Sequence, residues 1–366
     1  MTRLDALYLD HGQSPWVDNI RRDWLEDGTL SELVARGVRG VTSNPSIFAK
    51  ALTATNAYDD AIRSLGSTDA EHVFETLAAK DVQDACDVLA PVYEASKREL
   101  QAGVRRHTDG FVSLEVSPRL AFETQATIEA AKRLSGLVDR PNLMIKIPAT
   151  KECLEAVSAV LGLGINVNVT LIFSIERYGE VIDAFVEGIA RARRAGFDVE
   201  NIASVASFFV SRVDGAVDPQ LPKGSELLGK IANAQVAAAY ELYLERFPAG
   251  ESFSGAQVQR PLWASTSTKN PAYDKLLYVD DLIANETVNT MPDPTLETFY
   301  ESGSFTRSLL EDTSTRKAAS SLLEKLPRSV SLNDVTKKLE IDGVNSFISS
   351  YEEILKTVSE KIATTK

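Results

Sequence analysis

The strongest constraint in this sequence is an alternation. Short apolar or period-two segments recur at 14–18, 38–45, 110–117, 143–148, 165–172, 202–209, 260–265 and 286–291. Between and after them run helix-spaced apolar patterns: 19–36 with a break at Gly28, most of 51–103, then 122–136, 152–161, 175–195, 224–247, 272–281 and most of 292–366. Leu4, Leu7 and Tyr8 add a short lead-in helix. A strand sends successive side chains to opposite faces, whereas a helix repeats its apolar face every three to four residues, so the two periods are distinguishable. Strands separated by helices throughout pair in parallel. The eight units predict an α/β fold, a (β/α)₈ barrel with an enlarged helical crossover at 51–103 and extra C-terminal helices. The competing arrangement is a doubly wound open sheet, which requires apolar side chains on both strand faces. Three strands break that requirement. Ser113, Glu115 and Ser117 alternate with Val112, Leu114 and Val116. Lys146 lies between Ile145 and Ile147. Asn166, Asn168 and Thr170 alternate with Ile165, Val167, Val169 and Leu171. A polar strand face suits a barrel lumen. No repeat, low-complexity tract or linker interrupts the chain, so residues 1–366 read as a single domain.

Composition narrows the chemistry. A net charge of −13 over 366 residues gives no counterion-release affinity for nucleic acid, and no basic stripe stands out. Two cysteines, Cys86 and Cys153, have no metal-ligand spacing and fit a reducing compartment. The three histidines, His11, His72 and His107, lie far apart, which argues against a transition-metal site and against a histidine-based triad. No apolar run has membrane-spanning length, and residues 1–5 do not open like a signal peptide. The expectation is a cytoplasmic protein with no membrane partner, no metal and no cofactor, either monomer or homodimer.

The segment 143–148 carries the sharpest signal. Leu143, Ile145 and Ile147 point one way, and Met144, Lys146 and Pro148 the other. Burial disfavours an ammonium, so a lysine in such a run is either held in an ion pair or put to use. A lysine with a lowered pKa is an amine nucleophile able to form a Schiff base with a carbonyl. Both readings stand at this point.

Barrel active sites lie at the C-terminal ends of the strands. The polar residues expected there are Asp18, Thr42, Asn44, Glu115, Lys146, Asn168, Thr170, Ser207, Arg212, Ser265 and Lys269. Together they supply an amine, two carboxylates, hydroxyl and amide hydrogen-bonders and two further cations, a set suited to imine chemistry on a sugar phosphate. Each also has a structural alternative. Asp18 could pair with a nearby base, and Asn44 before Pro45 is a natural turn residue. Glu115 could serve only as the partner of Lys146. Asn168 and Thr170 could satisfy each other, and Arg212 and Lys269 could be solvated surface charges.

Four stretches then resemble a known family: Val-Thr-Ser-Asn-Pro-Ser-Ile-Phe at 41–48, Ser-Leu-Glu-Val at 113–116, Met-Ile-Lys-Ile-Pro-Ala-Thr at 144–150 and Asn-Val-Asn-Val-Thr-Leu-Ile-Phe-Ser at 166–174. They are similar to the signature segments of the transaldolases and their fructose-6-phosphate aldolase relatives, over about residues 14–360, and the long chain resembles the bacterial long form. The resemblance implies that Lys146 forms the Schiff base with the ketose donor and that Asp18 is the acid/base at the C4 hydroxyl. It implies that Glu115 and Thr170 handle the catalytic water. Asn44, Asn168 and Ser207 would hold the dihydroxyacetone hydroxyls, Thr42 would contribute to substrate binding, and Arg212 would bind the phosphate with help from Ser265. One departure stands out. The family commonly has an arginine two positions after the serine at 265; here that position is Ser267, and the next cation is Lys269. Two other readings remain: an aldolase releasing free dihydroxyacetone, and a non-catalytic phosphosugar-binding barrel. In the aldolases a tyrosine two residues after the Ser207-equivalent helps position water; here Phe209 stands there, which favours transfer.

Overall fold

The computed structural model of the chain describes residues 1–250, 253 and 255–364. Seven strands are present: β1 Gln13–Val17, β2 Val112–Glu115, β3 Leu143–Pro148, β4 Val167–Ile172, β5 Ser204–Phe209, β6 Gln259–Ala264 and β7 Thr287–Met291. They pair in parallel in the order β1-β7-β6-β5-β4-β3-β2. The gap between β1 and β2 is filled by residues 39–42. Val41 bridges Val17 on one side and Val112 on the other. Backbone bonds run to both neighbours: Val17 N–H donates to the Gly40 carbonyl at 3.0 Å, and Val41 N–H donates to the Phe111 carbonyl at 2.9 Å. The ring therefore closes at an eighth position, and the fold is the expected α/β barrel.

That eighth position is shorter than the strand expected over 38–45. Two local causes are visible. Gly40 lies flat against the Trp16 indole, where a Cβ would come within 2.4 Å of the ring. Beyond it, Asn44 already caps the helix Pro45–Ala54, its side chain accepting from the Ile47 amide at 3.1 Å, with Pro45 preset at the first helical position. Elsewhere the expected elements occur with shifted ends. The break at Gly28 is real, between helices Arg22–Glu26 and Thr29–Ala35. The crossover is three helices, Pro45–Ala54, Asp59–Leu65 and the long Ala70–Gln101. The helix expected over 224–247 begins only at Ile231, because Gly224 and Gly229 hold left-handed backbone and turn the chain first. The helix expected over 272–281 is one turn, Leu277–Asp280. The helical expectation for 292–366 resolves into Asp293–Ser302, Thr313–Ser320 and Leu332–Thr364 with a 3₁₀ turn, and its last two positions lie outside the described residues.

Two apolar cores follow from strand alternation. Leu143, Ile145 and Ile147 face the helices, as do Val112 and Leu114. Met144, Val205, Phe209, Leu262 and Val288 fill the lumen. Each fully buried aliphatic side chain of this kind contributes about 1.5–3 kcal/mol relative to exposure. β4 departs from simple alternation. Its register shifts between Val169 and Ile172, and Leu171 takes a φ of 61°. The bulge turns Leu171 into the lumen beside Phe173, not outward with Val169 as alternation predicted.

The C-terminal helix Leu332–Thr364 crosses the C-terminal mouth of the barrel. Val344 and Phe347 join the lumen cluster, and a Cβ on Gly343 would sit 3.1 Å from Leu171. Polar ties hold the helix to the crossover: Tyr351 donates to Glu71 at 2.9 Å, Ser46 and Ser350 share a bond at 2.8 Å, and Lys361 pairs with Asp59 at 2.5 Å. Among the described residues no helix is long and apolar enough to cross a membrane.

Candidate active site

A cavity of about 540 Å³ opens at the C-terminal mouth. Nine of the eleven residues expected there line it: Asp18, Thr42, Asn44, Lys146, Thr170 and Ser207, with Arg212 from the helix Ser211–Val217 and Ser265 and Lys269 from the loop after β6. The other two, Glu115 and Asn168, are buried beside it and touch residues that line it.

Lys146 is 4% exposed. Strand parity turns it inward from β3, and the adjacent register sets Glu115 of β2 and Asn168 of β4 level with it. Its Nζ lies 3.3 Å from Glu115 Oε2 and donates to the Ser43 carbonyl at 3.0 Å. The Phe347 ring centroid is 5.8 Å from the same nitrogen. Burial pushes the Glu115 carboxyl up to about 7, against the opposing pull of Lys146. The partner that the structural alternative gave Glu115 is therefore present, yet it leaves the acid titrating near neutrality.

Asp18 sits one residue beyond β1, its amide donating to the Met291 carbonyl at 2.9 Å. Burial holds its carboxyl above the ordinary range, while Lys146 and a hydrogen bond from Thr42 pull it down. Thr42 Oγ1 is 2.6 Å from Asp18 Oδ1 and also 2.6 Å from Thr290 Oγ1. No ion pair forms on Asp18 among the described residues, so the simple pairing alternative does not account for it.

Asn168 and Thr170 do not satisfy each other. Asn168 donates to Ser113 Oγ at 3.0 Å and accepts from Ser207 Oγ at 2.7 Å. Thr170 Oγ1 is buried without a hydrogen-bond partner among the described residues, and Thr170 lines the cavity. Asn44 spends its carbonyl oxygen on the helix cap while also lining the cavity.

The outer part of the cavity is cationic. Arg212 stacks on Phe209 with its guanidinium carbon 5.4 Å from the ring centroid, and burial lowers its pKa. Lys269 donates to Ser267 Oγ at 2.5 Å, so its head reaches the position where the family arginine is missing. Burial lowers the Lys269 pKa, and Arg212 and Lys50 add to the effect. Ser265 holds left-handed backbone at a φ of 56° and bonds Ser211 at 3.0 Å, which fixes this loop to the end of β5.

Four contributors escaped the sequence reading. Thr290 follows the parity of β7, with Val288 and Thr290 on the lumen face, so the signal was available. Ser43 contributes through its carbonyl, which no side-chain pattern reveals. Phe347 read only as helix packing, and Lys50 is an exposed helical lysine that the crossover happens to bring to the rim.

An amine and two carboxylates gathered at the C-terminal mouth of a closed parallel barrel define an α/β-barrel protein with a polar cavity at its strand ends. The family model described as transaldolase/fructose-6-phosphate aldolase matches residues 15–358. A protein named transaldolase from Thermobifida fusca is 47% identical, covering 97% of each chain. One of the same name from Parafrankia sp. is 46% identical over 96% of each, and one from Mycolicibacterium smegmatis is 47% identical over 94% of this chain and 93% of its own. The chain belongs to the transaldolase/fructose-6-phosphate aldolase family.

Proposed function

We propose that this chain is a transaldolase that moves a dihydroxyacetone unit from a ketose phosphate to an aldose phosphate, with Lys146 as the amine that captures the donor. The observation that carries the reading is Lys146 itself, buried on the lumen face, 3.3 Å from Glu115 and open to the cavity that also holds Asp18.

The Lys146 amine attacks C2 of sedoheptulose 7-phosphate or fructose 6-phosphate. Loss of water gives an iminium, which serves as an electron sink. Glu115, held near 7, exchanges the protons of that dehydration, and the partnerless Thr170 hydroxyl holds the water. Asp18 takes the C4 hydroxyl proton. The C3–C4 bond breaks into the iminium, leaving an enamine on Lys146 and a free aldose. The enamine then attacks the aldehyde of glyceraldehyde 3-phosphate or erythrose 4-phosphate, Asp18 returns its proton, and hydrolysis frees Lys146. Asn44, Asn168 and Ser207 hold the hydroxyls of the three-carbon unit. Arg212, Ser265 and Lys269 hold the phosphate; the cationic rim supplies the local field that an acidic protein needs to draw in an anion. No cofactor enters these steps. The reading places the enzyme in the pentose phosphate pathway, as a cytoplasmic single-domain protein, monomer or homodimer.

The test is covalent. Incubation with fructose 6-phosphate and borohydride should add the mass of a reduced dihydroxyacetone adduct to the peptide containing Lys146. A protein that binds the sugar phosphate yet keeps its original mass is a binding barrel, and the reading falls.

A further inference from the structure

We infer that Thr290 is a positioning residue that acts on Asp18 through Thr42, by fixing the Thr42 hydroxyl as a donor to the carboxylate. The inference rests on the reading of Asp18 as the proton acceptor at C4. Three strand ends meet here: Asp18 beyond β1, Thr42 from the closing segment and Thr290 from β7. The two oxygen–oxygen distances, Asp18 to Thr42 and Thr42 to Thr290, are both 2.6 Å. Thr42 has one hydroxyl hydrogen. When that hydrogen goes to ionised Asp18, which can only accept, the short contact with Thr290 is a bond only if Thr290 donates to Thr42. The order is therefore Thr290 to Thr42 to Asp18. Thr290 is 2% exposed and Thr42 is 2% exposed, so both hydroxyls are largely shielded from bulk water although they border the cavity.

The chain of donors has two consequences. Each hydrogen bond polarises the next, so donation from Thr290 strengthens the bond that Thr42 makes to the carboxylate. A hydrogen bond to the ionised form favours it, which opposes the effect of burial on Asp18. The bond also occupies Oδ1 and leaves the other carboxylate oxygen to receive the substrate proton. Thr290 touches neither the reacting carbon nor Lys146 in this account; its effect passes wholly through Thr42.

Thr290→Val is nearly isosteric and removes only the hydroxyl. It should move the acidic limb of kcat/KM to higher pH by a fraction of a unit and lower kcat several-fold near neutrality, with KM for fructose 6-phosphate little changed. Thr290→Ser should restore the limb. Thr42→Val should shift the limb further in the same direction, and Thr42→Val with Thr290→Val should match Thr42→Val alone, since a residue acting only through Thr42 has nothing left to act on. An unmoved limb in Thr290→Val with an unchanged thermal midpoint overturns the inference, as does a shift that adds to that of Thr42→Val. Asp18→Asn separates the two levels: if it is inactive while Thr290→Val keeps the parent profile, only the inference on Thr290 fails, whereas an active Asp18→Asn removes the reading on which it rests.

Discussion

At the N-terminal end of the barrel and at its C-terminal mouth, a carboxylate is buried beside a cation, and the two acids behave in opposite ways. At the N-terminal end Asp109 is fully buried, yet its carboxyl lies below the ordinary range. Burial alone would raise it; Arg260, Arg39, Ser14 and Trp16 more than cancel that. Ser14 and Trp16 donate to it at 2.5 and 2.8 Å, and Arg39 pairs at 3.1 Å. Arg260 pairs with it at 3.3 Å and also donates to Ser14 at 2.7 Å. At the mouth, Glu115 has one charged partner and is pushed up to about 7, and Asp18 has a single hydroxyl and is raised as well. Asp109 is wholly out of water, and the Glu115 side chain is 5% exposed. What differs most is how completely the charge is partnered: the acid with two cations and two donors is held below the ordinary range, and the acids with fewer partners are raised above it.

Substitutions at the two ends should therefore fail differently. Lys146→Ala should lower turnover by roughly 10⁴-fold or more, in line with the loss of other covalent nucleophiles, while far-ultraviolet circular dichroism stays that of the parent. Normal turnover would refute the role given to Lys146. Arg260→Ala should instead cost up to about 3–5 kcal/mol in urea unfolding, because it removes the buried cation beside Asp109 and leaves Arg39 as its one charged partner, while kcat per folded molecule holds. A parent-like unfolding curve would show that the N-terminal network is dispensable.

Titration sharpens the comparison. The folded pKa of Glu115 is raised from 4.5 to about 7, so its contribution to stability is fully present below about 4.5 and is lost as pH rises through 7. Relative to Glu115→Gln, the parent should lose roughly 2–3 kcal/mol of unfolding free energy between about pH 5 and pH 8. A constant gap over that range would place the carboxyl at its ordinary pKa. Asp109 runs the other way: its folded pKa is depressed, so it stabilises above the ordinary carboxylate pKa and its contribution is lost as the solution is made acidic.

The smallest expected effect concerns the fate of the enamine. Phe209 packs on Phe173 with ring centroids 5.1 Å apart and lies under Arg212. Phe209→Tyr adds one hydroxyl that can hold water at this wall, and should raise release of free dihydroxyacetone severalfold at the expense of transfer. Product ratios measured with and without an acceptor aldehyde check this; unchanged ratios would leave Phe209 as packing alone.

Much of this arrangement was legible from residue order. The two-residue period of a strand decides which side chains share a face, so Lys146, Glu115, Asn168 and Ser207 could be assigned to the lumen without coordinates. The helix–strand alternation required parallel pairing and hence a site at the strand ends. Periodicity could not foresee the bulge at Leu171, because a register shift depends on the neighbouring strand, nor the shortening of the second stave, which Trp16 and the helix cap impose. Partnership was the other thing left to the tertiary structure. Asn168 bonds Ser113 and Ser207, and Asp18 is tied through Thr42 to Thr290, because closing the ring brings distant strands level. Phe347 reaches Lys146 only because the C-terminal helix crosses the mouth. Local periodicity is a property of the chain, whereas the company a buried charge keeps is set by contacts between residues far apart along it, and those contacts decide its pKa.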